Sequence, residues 1–410
     1  MEKKPQIKKE TKFSVLNLTQ QDIPIITEDT KTRYSWVPVG IMDQDDFFPI
    51  ITDSFSTSTT HAACVEGISD LIFGKGMYSK NDMFDAVLMK LIDQEDIKKI
   101  AFDLKLYGNF AAQVWWNDDH SKVKKIYHIP VQNVRAEKIY DKPKVENYYY
   151  CTDWSDMREQ RNKKTIPAFG TSNEKMEIYY GKNYTPGKFY YSLPDWISAL
   201  QFSFAEAELS NLHINNIENG FMPLVMINFN NGVPAPEERQ TIESGVVNKF
   251  TGTRNAGRFM ISFNDDPNAK PTIDTIQTEN LHEKYQYVAE YAQDRILVAH
   301  RVTSPLLFGI RTANNGFSSQ SEEMKTAFSI MQTMTVQPHQ NTIINCFSNI
   351  FRLGGWGIDL ELYFEQLTPL AILSTTAEET GQTIDEVEET IDESMENTQQ
   401  MEDEIELNEE

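Results

Sequence analysis

Two long helical patterns that bracket a compact insert constrain the fold of this chain more than any other feature. The first helix follows a start signal at residues 192–195, has Pro194 in its first turn and closes at Asn219-Gly220. The second covers about residues 279–300, which is about 33 Å at 1.5 Å per residue. Both repeat apolar residues at spacings of three and four, which predicts one buried face on each helix.

The insert between these helices, residues 221–278, alternates strand and helix signals. A short apolar strand at 224–229 is followed by an Asn-Asn-Gly turn and a helix over about 236–250. A glycine-rich turn then leads to a second strand at 258–263. The insert is therefore predicted to be a small αβ unit.

The first part of the chain is predicted to contain helices after a polar start. Residues 1–35 are polar and weakly patterned, which is typical of a flexible arm. Apolar residues recur at helical spacing over 52–73, and again over 93–107, where Asp93 is the predicted cap. Gly108-Asn109 ends the second of these helices.

Strand signals follow. Alternation predicts a hairpin formed by residues 110–116 and 123–129. Tyrosine clusters on strands usually form half-buried sheet faces with the hydroxyl groups at the rim. Further strands of this tyrosine-rich kind are predicted at 146–152, 175–180 and 188–192.

The segment after the second long helix begins with a loop, residues 301–320. A loop of about 20 residues inside a compact protein is unusual and tends to be functional. A helix over about 321–351 follows, with a bend predicted at Pro338 because proline lacks the N–H that an unbroken helix needs. Alternation then predicts a strand at 358–364.

Charge is concentrated at one end of the chain. The 410 residues carry a formal net charge of -23, and residues 377–410 hold 15 acidic residues and no basic one. That leaves 46 acidic against 38 basic residues, a net charge of -8, for residues 1–376. Such a chain is a poor candidate for tight binding to phosphate backbones, which depends on clustered Lys and Arg.

The sequence also bounds the cellular setting. Cys64, Cys151 and Cys346 are far apart, which is typical of buried or incidental thiols in a reducing compartment. The N-terminus lacks the apolar region of a secretory signal, and no window approaches the ~18 apolar residues of a membrane span. These features predict a soluble protein made in the cytoplasm.

A search for catalytic or cofactor motifs is largely negative. No phosphate-binding loop, dinucleotide fingerprint, HExxH or CxxC is present. The seven histidines are dispersed, and His300-Arg301 fits a helix C-terminus, where the macrodipole favours cations. Asp118-Asp119 and Asp265-Asp266 could bind a metal ion, although adjacent aspartates are more common as turn residues. We therefore expect no enzyme activity, no cofactor and no metal.

Taken in order over about residues 45–370, the segments 106–112, 126–134, 219–226, 255–260, 300–309 and 321–323 together resemble the portal, or connector, proteins of tailed bacteriophages. Residues 106–112 and 126–134 resemble a wing element with a Gly-Asn pair, a hairpin and a Pro-Val pair. The other segments that carry the resemblance are 219–226 at the entry to the clip, 255–260 as its return strand, and 300–309 with 321–323 after the second stem helix. Thr-Ser-Pro and Leu-Leu-Phe-Gly depart from the family's usual pattern in the last of these.

The resemblance implies an α+β fold of the portal type. It comprises a mixed αβ wing, two long stem helices bracketing a small αβ clip, a tunnel loop followed by a long helix, and a minimal acidic crown. On this sequence the implied parts are an N-terminal arm (1–44), wing (45–200 and 321–376), stem helices (201–220 and 279–300), clip (221–278), tunnel loop (301–320) and a partly disordered acidic crown or tail (377–410).

The resemblance also implies a function without catalysis. Portal subunits form a ring, typically a dodecamer, at one capsid vertex, where the channel carries double-stranded DNA during packaging and ejection. The implied partners are other copies of the chain, the major capsid protein, the terminase large subunit and head-tail adaptor proteins. The implied location is the virion, after synthesis in the host cytoplasm.

Candidate site residues follow from these parts. Arg301 and Arg311 are candidates either for transient phosphate contacts or for ion pairs between subunits. An acidic channel wall would repel phosphate, so that DNA slides through without adhering. The other tunnel-loop candidates are Asn314, Asn315 and Ser318; the acidic lining candidates are Glu206, Glu208, Glu283, Glu290 and Asp294; the clip docking candidates are Asn231, Glu237, Glu238, Arg239 and Arg254.

Two other functions stay open at this point. One is a hydrolase that uses a carboxylate pair such as Asp265 and Asp266. The other is a different head or adaptor protein of the virion, although adaptors are usually much shorter than 410 residues.

Overall fold

A computed structural model describes residues 25–41, 44–140, 142–154, 163–218, 224–229, 238, 259–263, 272–276, 281–308, 320–357 and 360–367. Within them the fold mixes helices with small sheets, as predicted for the α+β class. The helices are α1 Phe47–Thr57, α2 Thr59–Phe73, α3 Asp82–Leu91, α4 Gln94–Tyr107, α5 Leu200–Glu218, α6 Leu281–Ala299, α7 Gln320–Met331 and α8 Gln337–Leu353. The strands are β1 Ile26–Glu28, β2 Val39–Ile41, β3 Gly76–Ser79, β4 Asn109–Trp116, β5 Val123–Ile129, β6 Val134–Ala136, β7 Asn147–Tyr150, β8 Lys164–Pro167, β9 Met176–Lys182, β10 Leu224–Phe229, β11 Phe259–Phe263, β12 Thr272–Ile276 and β13 Leu362–Glu365.

The predicted single helix over 52–73 is two helices. The chain breaks at Ser58, whose extended backbone (φ -103°, ψ 115°) separates α1 from α2. The Ser58 hydroxyl accepts a hydrogen bond from the His61 N–H at 3.3 Å, so that it caps α2. Ser and Thr are strong N-cap residues, and the run of them between Ser54 and Thr60 contains this break.

The predicted helix over 93–107 and the hairpin that follows are confirmed. Asp93 caps α4 by accepting from the Glu95 N–H at 3.1 Å. Strand β4 pairs antiparallel with β5 and also with β9, so that it is the central strand of a three-stranded sheet. The interior face of β4 packs into the largest apolar cluster, together with α2, α4 and α8.

The prediction of a flexible arm is wrong for residues 25–41. Strands β1 and β2 pair antiparallel, and Trp36 between them is fully buried. The Glu28 carboxylate accepts the backbone N–H groups of Phe189, Tyr190 and Tyr191 at 2.8–2.9 Å. The predicted strand at 188–192 is also wrong for this reason, because a side chain satisfies donors that a ladder would otherwise use. Residues 1–24 lie outside the described part.

The Gly108-Asn109 pair ties the end of α4 to the segment that leads into α5. Gly108 has φ of 71°, and a Cβ there would lie 2.7 Å from the Leu193 carbonyl oxygen. The Asn109 amide donates to the Tyr107 and Ser192 carbonyls at 2.7 and 2.8 Å and accepts from the Ser192 N–H at 2.7 Å. Both residues therefore have a structural role: Gly108 allows the close approach of Leu193, and Asn109 binds Ser192.

Replacing Gly108 with Ala should destabilise the fold by about 3 kcal/mol, because left-handed backbone strain adds to a contact with a backbone carbonyl. Gly170 is the matched control, since its φ is 72° and a Cβ there would meet nothing within 4 Å. Gly170→Ala should cost about 1 kcal/mol. Urea denaturation measures both, and equal losses would show that the approach to Leu193 is unimportant.

The long helix predicted over 321–351 is interrupted next to Pro338, as expected. A π-helical turn at Gln332–Val336 lies between α7 and α8, and Pro338 stands in the first turn of α8. Proline cannot supply the N–H of a regular i to i-4 bond, which favours the wider turn before it. The strand predicted at 358–364 is shorter, because β13 begins at Leu362 and pairs antiparallel with β3.

The insert between α5 and α6 contains a three-stranded sheet. Strand β10 pairs parallel with β11 and antiparallel with β12. A parallel pair needs a crossover connection, which agrees with the helix predicted between these strands. Of that predicted helix only Glu238 lies among the described residues, and it is helical. Strand β12 was not predicted, because Thr272–Ile276 does not alternate strictly between polar and apolar residues.

Within the described ranges, none of the helices combines the length and apolarity that crossing a lipid bilayer demands.

Candidate functional site

Helices α5 and α6, named here the helix pair, pack against each other in antiparallel fashion. The Phe202 ring meets the Tyr291 ring edge to face at 5.9 Å, and the His213 ring contacts Tyr285 at 6.1 Å. Near the base of the pair, Ile296 and Leu297 are buried with Cys64 of α2. The pair thus joins the rest of the fold at one end, where α5 begins and α6 ends.

Large apolar side chains remain exposed on the helix pair. Tyr287 and Val298 of α6 are 67% and 66% exposed, and Ile217 of α5 is 65% exposed. Tyr287 and Val298 are eleven residues apart, so at 100° per residue they lie within about 20° of each other on the helix. Single exposed apolar residues are ordinary on protein surfaces, but Tyr287 and Val298 lie on one stripe of α6.

The acidic residues predicted to line a channel do not all have the same surroundings. Glu208, Glu290 and Asp294 are exposed on the helix pair. The side chain of Glu283 lies outside the described part, although its backbone belongs to α6. Glu206 is half-buried and uses its carboxylate inside the chain.

Glu206 binds the N-terminus of α2. Its carboxylate accepts from the hydroxyls of Ser58, Thr59 and Thr60, with distances of 3.0 and 2.7 Å for the last two, and from the Thr60 N–H at 3.3 Å. A carboxylate at this place satisfies free N–H groups and complements the positive end of the helix dipole. The contact therefore fastens α5 to α2.

His61 and His300 meet at the same first turn of α2. The His61 Nδ1 and His300 Nε2 atoms are 2.9 Å apart, and both side chains are fully buried. Trp196 packs on both rings, at centroid distances of 4.0 and 5.6 Å. Burial, and then the nearby Lys105 ammonium, lower the pKa of His61 to about 3 and hold the pKa of His300 well below its ordinary value.

A buried ion pair lies beside the two histidines. The Lys105 Nζ atom donates to both Asp195 carboxylate oxygens at 2.9 and 3.0 Å, although the Lys105 side chain is 0% exposed. Burial by itself would raise the pKa of Asp195, but Lys105 and His339 lower it below its ordinary value. The His339 Nε2 atom is 3.8 Å from Asp195. We name this group (Ser58–His61, Lys105, Asp195, Trp196, His300, Arg301 and His339) the junction.

Arg301 ends α6 in a left-handed conformation with φ of 57°. Its N–H donates to the Val298 carbonyl and the Val302 N–H donates to Leu297, both at 3.0 Å, which is the Schellman pattern of helix ends. Glycine usually occupies this position, so an arginine here is strained. The residue is exposed, and its charge also lowers the pKa of Asp195 after Lys105 and His339.

Most other predicted site residues fall outside the described part. In the predicted tunnel loop these are Arg311, Asn314, Asn315 and Ser318. In the predicted clip docking surface they are Asn231, Glu237, Arg239 and Arg254, whereas Glu238 is described as an exposed helical residue. Their roles stay predictions.

The carboxylate pairs considered for catalysis do not form a site in the described part. Asp118 and Asp119 are in the exposed β4–β5 turn, where Asp118 pairs with Lys175 at 2.7 Å and Asp119 accepts from Ser121. Asp265 and Asp266 lie outside the described residues. No group of three or more potential metal ligands occurs within the described ranges.

Sequence reasoning missed the junction. His61 and His300 are 239 residues apart, so no local spacing could pair them. One signal was present, because Lys105 lies between Leu104 and Leu106 on a helix whose last turn is buried. A lysine in such a place needs a counter-ion, but the sequence does not say which.

No family model and no curated protein sequence matches the chain. Among solved structures, the neck of the empty gene transfer agent (GTA) particle, computed with C6 symmetry, matches with a TM-score of 0.54 at 16% identity, covering 82% of this chain and 88% of that chain. The neck of the native GTA particle, computed with C12 symmetry, matches with the same TM-score and identity and covers 82% and 89%.

The crystal structure of an HK97-family phage portal protein from Corynebacterium diphtheriae also matches, with a TM-score of 0.45 at 12% identity over 72% of this chain and 88% of that chain. The two neck structures, whose TM-scores exceed 0.5, show the shared fold. At this level of identity the likeness concerns the fold alone. The fold is one shared with a chain of the GTA neck.

Proposed function

We propose that this chain is the subunit of a portal ring at one vertex of a phage-like capsid, with the twelve subunits that the resemblance implies. The observation that carries the proposal is the fold shared with a chain of the GTA neck over 82% of this chain. The sequence resemblance to portal proteins supports it independently, because it rests on local segments. The role is structural and assigns the chain no catalytic step.

The helix pair supplies the surfaces that such a ring needs. Its exposed apolar residues would pack against a neighbouring copy. Two helices alone bury little apolar surface, and an interface between subunits would remove these residues from water. Of the pair's exposed carboxylates, Glu208 and Glu290 would face the channel and repel the DNA phosphates, whereas Asp294 lies on the same stripe of α6 as Tyr287 and Val298. The net charge of -8 on residues 1–376 favours a channel through which DNA slides.

Further parts of the proposal concern partners. The insert between α5 and α6 would be the docking platform, first for the terminase motor and then for a tail adaptor. The part that contains β4, β5 and β9 would contact the major capsid protein. The ring would be part of the virion.

Imaging of the purified protein tests the proposal. Negative-stain electron microscopy should show annular particles with a central channel, and mass photometry should give one dominant mass near a whole multiple of 47.2 kDa. Monomers or dimers under all salt conditions and with capsid protein present would refute it.

A deletion in the predicted tunnel loop tests whether this loop lines the channel. Deleting residues 314–318 should leave ring assembly intact but reduce DNA packaging or retention, because the loop would line the channel. The measurement compares particle images with the DNA content of assembled capsids. Loss of assembly would instead place the loop in a contact between subunits.

A further inference from the structure

The first turn of α2 holds both members of the helix pair by polar contacts. Ser58, Thr59 and Thr60 bind Glu206 of α5, and His61 binds His300 directly after α6. The two contacts lie within four consecutive residues. Any change at this turn therefore acts on α5 and α6 together.

The His61–His300 contact leaves two nitrogen atoms without partners. Within the described part of the chain, His61 Nε2 and His300 Nδ1 are buried and make no hydrogen bond. Two neutral imidazoles carry two N–H groups, and only one can lie between the rings. Whichever tautomers are present, one buried N–H and one buried lone pair remain without a hydrogen bond. These unsatisfied groups reduce the stability of the His61–His300 contact.

Among the described residues, no carboxylate contacts the His61 or the His300 ring. Lys105 of α4 is already positive, and Asp195 before α5 holds it with both carboxylate oxygens. Glu206 of α5 is engaged by α2, and Cys64 of α2 has its pKa raised to about 12 by burial, so it stays a neutral thiol. Two further charged or titratable groups, the Arg301 cation after α6 and His339 of α8, lie near Asp195.

We propose that the His61–His300 contact is a proton-sensitive latch, which opens when the pair takes up a proton and so releases the end of α6 from the first turn of α2. An imidazolium there would be a buried charge beside Lys105, with a further N–H unsatisfied. The junction must admit water to accept it. This inference rests on contacts within one chain and does not depend on the proposed ring.

The direction of the pH effect follows from the lowered pKa values of both histidines in the closed state. Above pH ~6.5, the ordinary pKa of histidine, neither the open nor the closed state binds the proton, and the latch is stable. Below that pH the open state binds protons that the closed state excludes. At pH 5 opening should be favoured by about 30-fold for each histidine released.

Hydrogen exchange measured by mass spectrometry on the full-length protein tests the latch. After correction for the intrinsic pH dependence of exchange, peptides covering 59–64 and 297–302 should exchange at least about 30-fold faster at pH 5 than at pH 7. Peptides covering β4 should change much less. Equal responses in all peptides would overturn the proposal, because they would report global unfolding.

A double variant separates the latch from a general acid effect. His61→Gln with His300→Gln keeps hydrogen-bonding side chains but cannot titrate, so the acid response of these peptides should fall at least tenfold. His213→Gln, on the helix pair but exposed, should respond as the native protein does. An unchanged response in the double variant would overturn the proposal.

If the double variant does not fold at pH 7, a measurement on the native protein still tests the latch. Exchange of the imidazole Cε1 hydrogens, followed by mass spectrometry, reports the titration of each histidine. Slow exchange at His61 and His300 that accelerates together with the amide opening supports the latch. Ordinary titration near pH 6.5 without amide opening contradicts it.

Discussion

Replacing Tyr287 and Val298 together with glutamate should stop the chain from assembling into a ring. Both side chains are about two-thirds exposed in the single chain, so the substitutions cost the subunit itself little. In a ring each interface would bury two new carboxylates without partners. The subunit concentration needed for assembly should rise by at least about 100-fold, which corresponds to about 2.7 kcal/mol per interface.

Mass photometry across a dilution series measures this effect. Tyr184→Glu is the matched control, because Tyr184 is 89% exposed and lies outside the helix pair. That variant should form the same rings as the native protein. Rings of normal mass from the Tyr287 and Val298 variant would show that this face of α6 is not a subunit interface, whereas a failure of the control would indicate a wider surface.

Replacing Lys105 with methionine should lower the free energy of unfolding by about 3–5 kcal/mol. The variant leaves the Asp195 carboxylate mostly buried, and the His339 imidazole at 3.8 Å is a poor replacement because burial lowers its pKa. Removing one member of a buried pair costs more than the pair contributes, because the other charge loses its counter-ion. Urea denaturation followed by tryptophan fluorescence measures the loss, since Trp196 lies in the junction.

Two comparisons make the Lys105 result specific. Lys105→Met combined with Asp195→Asn removes both charges and should regain at least half of the loss. Lys98→Met breaks an exposed ion pair with Asp70, in which the side chains are 49% and 54% exposed, and should cost less than about 1 kcal/mol. A Lys105→Met variant as stable as Lys98→Met would mean that water reaches Asp195.

Much of the fold could be predicted because its signals are local. Asp93 and Gly108 bound α4 through a cap and a left-handed turn, and both are visible in the sequence. The β4–β5 hairpin follows from alternation around polar turn residues. The two long helices follow from apolar spacing, although α5 begins later than predicted because a 3₁₀ turn at Ile197–Ala199 precedes it.

The predictions that were wrong concern residues whose partners are distant. Residues 188–192 have the composition of a strand, but Glu28 accepts their N–H groups from about 160 positions away. Residues 25–41 are polar enough to suggest an arm, yet Ile26, Val37 and Val39 are buried in an apolar cluster with residues far along the chain. A contact between a side chain and a distant segment produces no periodic pattern in the sequence of either segment, so it cannot be predicted from local spacing.

The same division holds for the candidate functional residues. Helical periodicity and charge were enough to identify the helix pair, its acidic residues and the mildly acidic body, since these depend on each segment's own composition. The junction depended on folding, which brings His61, Lys105, Asp195 and His300 from four separate segments into one buried space. Burial and nearby charges shift the pKa values of His61, Asp195 and His300. Both effects depend on distances in space, which the order of residues along the chain does not give.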